Sequence, residues 1–146
     1  MTTKELIQKA EQLKQPSSEA AHEYRSKQGD MLADLNDDIF KDENIFEMIG
    51  GAENKEMAEK NHSNHLKFMY SVFIAFDPAV LVHTVLWVYR SYISHGIKPE
   101  YWTLQIPSWI GIINSKLSIK TADEIVPFYK FLMDNHENFM ELKDGE

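Results

Sequence analysis

Two sets of side chains in this 146-residue chain could do chemistry, and both fall between Asn61 and Ile97. His62 and His65 stand one helical turn apart. A pair of imidazoles at that spacing can hydrogen-bond the nitrogens of a flat heterocycle or ligate a heme iron. His83, Trp87, Arg90 and Ser94 recur at i, i+4, i+7 and i+11, which aligns them on one helical face. There Arg90 could hold a carboxylate by charge-assisted hydrogen bonds, Trp87 could stack on a ring, and His83 could meet its polar edge. Of 17 aromatic residues, 10 lie between Asn61 and Lys120. A flat, unsaturated guest between two helices requires such a wall, and a solid aromatic core tolerates it equally. The competing readings put the two histidines at a half-exposed helix start, Trp87 in the core, and Arg90 on the surface opposite an acid of the first helices.

Other chemistry is absent or weakly signalled. There is no cysteine, which removes disulfides, thiolate metal sites, cysteine nucleophiles and covalent thioether attachment. A dedicated metal site needs a third ligand at a suitable spacing, and no His-Glu-x-x-His pattern occurs. Asp37-Asp38 and Asp42-Glu43 read as a solvated acidic face rather than as a spaced acid–base couple. No Gly-rich phosphate loop or nucleophile elbow is present, so we expect no enzyme. His22, His95 and His136 read as structural or solvent-facing, and Tyr101, Trp102 and Trp109 as core first.

The formal net charge is −8 and it is unevenly spread: −6 over residues 1–60, +3 over 61–120, and −5 over 121–146. An acidic surface argues against nucleic acid, whose capture depends on neutralising phosphates. A mildly basic middle suits a small anionic ligand, although a buried middle that has shed its acids gives the same balance. The polar start MTTKELIQKAEQLKQ does not read as a signal peptide, and no apolar run reaches the length of a membrane span. The lack of cysteine fits a reducing cytoplasm, where we expect the chain to reside.

These residues need helices to position them, and the periodicity supplies helices throughout. A short first helix is expected from Thr3 to Lys14, ended by Pro16. A thin acidic region follows from Glu19 to Phe46, with a break near Gly29 or Asp42. The third helix spans about Asn54 to Phe76, with Leu66, Met69, Phe73 and Phe76 as its stripe and His62 and His65 extending it. Asp77 caps the fourth, with Pro78 in its first turn and Gly96 as its end. Leu81, Val85, Val88 and Tyr92 form its aliphatic side. Pro99 opens the fifth, which Pro107 should kink or split. Thr121 to Glu124 reads as a capping box for the last. One domain covers 1–146, with 1–16 a leading helix and linker and 17–142 the core. Heptads are not sustained, so obliquely packed helices of globin type fit better than a simple bundle.

A resemblance adds to this. The run His65-Leu66-Lys67-Phe68-Met69, then Asp77-Pro78-Ala79-Val80-Leu81, Val85-Leu86-Trp87 and Ser94-His95-Gly96-Ile97 resembles the signature of heme-free globins related to phycobiliproteins. These include the bilin biosynthesis-associated globins and those beside cobalamin-binding domains. The likeness covers Asn61 to Ile97, and elsewhere only the helix layout. It implies a globin-like all-α fold, a homodimer, and non-catalytic binding of a linear tetrapyrrole (a bilin such as biliverdin or phycocyanobilin). The pocket would lie between the third and fourth helices, with the fifth closing one side. Its lining would be His62, His65, Met69, His83, Trp87, Arg90 and Tyr101. Where the family usually has an acid this chain has His83, and His95 replaces an arginine of the turn. Without cysteine any bilin is held non-covalently. Two alternatives stand beside it: a heme globin with His83 or His65 on iron, and a cofactor-free sensory or dimerisation module whose pocket takes a fatty acid or nothing.

Overall fold

The computed structural model describes residues 1–144. They are helical throughout, with no strand among the described residues. In chain order the helices are α1 (Thr3–Ala10), α2 (Ser18–Ser26), α3 (Gln28–Ile39), α4 (Asn44–Met48), α5 (Lys55–Ile74), α6 (Pro78–Ser94), α7 (Glu100–Lys116), α8 (Ile119–Asp134) and α9 (His136–Leu142), with one 3-10 turn at Ala52–Asn54. Among these residues no helix is long and apolar enough to cross a membrane.

Local chemistry sets most of the boundaries. Thr2 and Glu5 form a reciprocal capping box on α1. Pro16 precedes Ser17, whose hydroxyl accepts from the Ala20 N–H to start α2. The acidic region breaks twice: at Lys27, two residues before Gly29, and again between Ile39 and Asn44. Asp77 Oδ1 accepts from the Ala79 N–H at 2.9 Å, with Pro78 at the first helical position of α6. Gly96 ends the segment with φ +77°, a conformation that costs glycine least.

Two expectations are corrected. The Thr121–Glu124 capping box does not form: α8 starts earlier, with the Ser118 hydroxyl accepting from the Thr121 N–H. Glu124 instead accepts from the Ser17 N–H at 2.8 Å and faces its hydroxyl at 3.2 Å, tying α8 to α2. Thr121 donates its hydroxyl to Glu23 at 2.7 Å. Pro107 does not split α7, which continues from Glu100 to Lys116 with the proline on its exposed side.

Packing places α3 and α8 on α7, α2 on α8, and α5 on α2 and α3. On the other side α6 packs on α1 and α9. Leu6 and Ala10 of α1 are fully buried, so the leading helix belongs to the core. The buried face of α6 is Leu81, Val82, Val85, Leu86, Tyr89 and Tyr92. With α5 turned toward α2 and α3, and α6 toward α1 and α9, the sides on which α5 and α6 face each other remain partly open.

Candidate functional site: a groove between two helices

The two neighbouring histidines of α5 are buried, and each is held by a tyrosine. His62 Nδ1 lies 2.6 Å from Asn36 Oδ1, and its Nε2 meets the Tyr101 hydroxyl. An amide oxygen only accepts, so Nδ1 carries the proton and Tyr101 donates to Nε2. His65 Nε2 lies 3.0 Å from the Tyr129 hydroxyl, which lies 2.6 Å from that of Tyr24. One direction leaves no buried hydroxyl proton unpaired: Tyr24 donates to Tyr129, and Tyr129 donates to a bare His65 Nε2. His65 is then also the Nδ1–H tautomer. A third pair joins the Tyr89 hydroxyl to His136 Nδ1 at 2.6 Å.

Burial keeps His62, His65 and the tyrosines bound to them uncharged. Desolvation lowers His62 to about 4. It lowers His65 to about 3, with the neighbouring His62 adding to the effect. Desolvation likewise raises Tyr24, Tyr101 and Tyr129 well above the ordinary phenol range. Neutral imidazoles and phenols paired in this way stiffen the core and are not poised to exchange protons near neutral pH.

Beside this network, a groove of about 200 Å³ opens between α5 and α6. Asn61, Asn64, His65 and Phe68 line it from α5; Thr84, Val85, Trp87, Val88, Ser91 and Tyr92 line it from α6; and Trp102 enters from α7. The rings meet edge to face. His65 and Trp102 have centroids 5.6 Å apart at 82°, and Tyr92 and Trp102 are 6.1 Å apart at 68°. Behind them Trp109 stacks on His65 at 5.1 Å. No Lys, Arg, Asp or Glu lines the groove. Its polar contribution is neutral amides and hydroxyls at the edges and indole, imidazole and phenol rings within.

The structure brings two of the seven expected residues, His65 and Trp87, to this groove. His62, Met69 and Tyr101 are buried and are not among its lining residues. His83 and Arg90 are not brought there either: both are exposed on the outer side of α6, and Arg90 donates to the Lys143 carbonyl at 3.0 Å. The ladder of His83, Trp87, Arg90 and Ser94 is thus the solvent side of α6, because the helix buries the opposite side, with Leu81, Val82 and Tyr89, as it packs on α1 and α9. Trp87 is 59% exposed and forms part of the groove rim.

Sequence reasoning did not assign Phe68, Tyr92 and Trp102 to the site. The spacing Asn61, Asn64, His65, Phe68 was visible as one helical face beside the His62 stripe, whereas Trp102 reaches the groove only through the docking of α7. Among the described residues no three His, Asp or Glu side chains converge as a metal-binding group. No family model, curated protein or solved structure matches this chain.

Proposed function

We propose that this protein is a non-catalytic binding domain whose α5–α6 groove takes a flat, conjugated ring system. The observation that carries this is the groove itself: five aromatic or imidazole rings, those of His65, Phe68, Trp87, Tyr92 and Trp102, around about 200 Å³ of space with no charged side chain. An apolar cavity of about 150 Å³ is enough for benzene, so one or two fused rings fit here. Burying about 150 Å² of ring surface at about 25 cal/mol per Å² gives about 4 kcal/mol, so a lone ring binds in the millimolar range. A ligand with more surface outside the groove binds tighter.

A linear tetrapyrrole is the ligand class that the resemblance supplies, and we retain it as the first to test. It would enter by one end. Trp87 and Trp102 would flank that ring, and the propionates would stay in water, since no Lys or Arg is among the lining residues. We also read the helical arrangement as globin-like, because the resembling run spans both helices that wall the groove. The heme alternative is served less well: His83 is exposed, and His65 Nε2 is engaged by Tyr129.

Titration with biliverdin tests the reading. We expect a red-shifted, sharpened absorption band together with quenched tryptophan emission, both weakened by Trp87→Ala. Silence toward biliverdin and toward one- and two-ring aromatic probes at millimolar concentration would rule the groove out as a binding site.

A further inference from the structure

Core and groove meet at one imidazole. His65 lines the groove and is 7% exposed. Its Nε2 is taken by the Tyr129 hydroxyl, whereas its Nδ1 makes no hydrogen bond among the described residues. That nitrogen is not sealed off. Among these residues the one unpartnered side-chain nitrogen or oxygen fully closed to solvent is Trp102 Nε1, which no guest can reach. The small accessible edge of His65 therefore includes Nδ1, and it opens on the space between α5 and α6.

What Nδ1 offers a guest is decided out of the guest's reach. Tyr24, Tyr129 and His65 Nε2 are joined by two contacts, of 2.6 and 3.0 Å, and both tyrosines are fully buried. Two contacts can carry two protons. With Nε2 bare, the two phenolic protons fill them. With Nε2 protonated there are three protons for two contacts, and one hydroxyl proton is left without an acceptor. Ionisation offers no escape, because burial raises both phenols. A buried orphan donor is costly, so the imidazole proton stays on Nδ1. An N–H donor thus faces the groove, and no carboxylate among the lining residues receives it.

We infer that the groove selects neutral, flat rings with an acceptor on the inserted edge, a bare ring nitrogen or a carbonyl oxygen, to receive the His65 Nδ1–H. Tyr129, which does not line the groove, enforces the selection by fixing the His65 tautomer. This rests on the groove being a binding site. It adds which edge a guest must present and which residue sets that demand. A guest presenting an N–H would have to move the imidazole proton to Nε2 and orphan a buried hydroxyl. An anionic acceptor is disfavoured, because no Lys or Arg lines the space to offset its desolvation.

Isoquinoline and indole are two-ring probes that differ at the edge. The first offers a bare nitrogen and no donor, the second an N–H and no strong acceptor. Titrations in mildly alkaline buffer, where isoquinoline is uncharged, follow the Trp87 indole resonance in ¹H–¹⁵N spectra. We expect isoquinoline to bind about tenfold tighter than indole, the effect of one buried orphan. Tyr24→Phe should keep this ratio, because protonating Nε2 would still leave two protons for the one remaining contact. Tyr129→Phe should reduce it to within about twofold, because no contact is left to discriminate. Each variant loses one buried hydroxyl, so a general loosening of the core would change the ratio alike in both. In the unliganded wild type, long-range ¹H–¹⁵N imidazole spectra should show His65 protonated at Nδ1 and bare at Nε2, a readout that needs no variant. Protonation at Nε2, equal affinity for the two probes, or the same ratio in both variants overturns the inference while the groove stands. If neither probe shifts Trp87, the groove reading itself fails.

Discussion

Tyr129 couples the tyrosine of α2 to the histidine at the groove: its hydroxyl lies 2.6 Å from Tyr24 and 3.0 Å from His65 Nε2. Tyr129→Phe removes this bridge and strands two buried groups, the Tyr24 hydroxyl and the His65 nitrogen. A loss of about 2 to 6 kcal/mol follows, at about 1–3 kcal/mol per orphan. At roughly 2–4 °C per kcal/mol for a chain of this size, thermal unfolding by circular dichroism should fall by several degrees. Adding Tyr24→Phe to that variant removes one of the orphans, so the double variant should recover part of the loss. Strictly additive losses would refute the coupling of the two hydroxyls.

The buried histidines make stability fall in mild acid. His62 and His65 are lowered to about 4 and about 3 in the folded chain, against 6.5 as the reference value. Between those limits the unfolded chain takes up protons that the folded chain refuses, so lowering the pH favours unfolding. Stability is therefore full above about pH 6.5 and declines as the pH falls toward 4. From pH 7 to pH 5 the two histidines together cost on the order of 4 kcal/mol. Urea denaturation at a series of pH values measures this. A flat profile across that window would show that the imidazoles already titrate in the folded state.

Glu23 joins α2 to the start of α8. Its carboxylate accepts from the Ser118 N–H at 2.6 Å, the Ser118 hydroxyl at 2.9 Å and the Thr121 hydroxyl at 2.7 Å. These donors, the Ser118 backbone foremost, hold its carboxyl below the usual range. Glu23→Ala should destabilise the chain by about 1–2 kcal/mol at neutral pH. It should leave the affinity of the groove for aromatic probes unchanged, since none of these residues lines it. Paired denaturation and probe-binding measurements check both halves. Loss of probe binding with the fold intact would tie the α2–α8 junction to the groove.

The outer side of α6 exposes Val80 and Trp87, 53% and 59% exposed and seven residues apart on one helical face. We expect this side to seat a second copy of the chain. Light scattering coupled to size exclusion should report a homodimer for the wild type and a monomer for Trp87→Glu. Because Trp87 contributes little to the core, that variant should keep its melting temperature within about 3 °C, as surface substitutions do. A monomeric wild type at high micromolar concentration would exclude the dimer.

The parts of this fold legible in the sequence are those fixed by neighbours within a turn or two. Asp77-Pro78 marked the stop between α5 and α6 because a cap and a proline act locally. The stripe through His62, His65 and Met69 was legible because burial repeats at helical period, and all three are buried. The α8 start was misread because Thr121 and Ser118 both satisfy the local rule. The choice fell to Ser118 once Glu23, 98 residues from Thr121, and Ser17, 107 residues from Glu124, had claimed the side chains of the rival box. The α6 ladder was ambiguous for a related reason. Both of its faces carry aromatic residues, and which turns inward depends on where α1 and α9 dock. Trp102 at the groove is a purely tertiary outcome: its neighbours in sequence predict burial and say nothing of an unpaired Nε1.

The charge-free lining also determines how the groove responds to its medium. With no fixed charge at the mouth, capture there does not rely on electrostatic steering, and it should be nearly indifferent to ionic strength. Salts that salt out apolar solutes, such as sulfate, should strengthen it slightly. The acidic exterior, at a formal −8, disfavours polyanionic guests. Entry is thus a matter of partitioning, in which a guest is chosen by shape and edge chemistry after diffusion has delivered it.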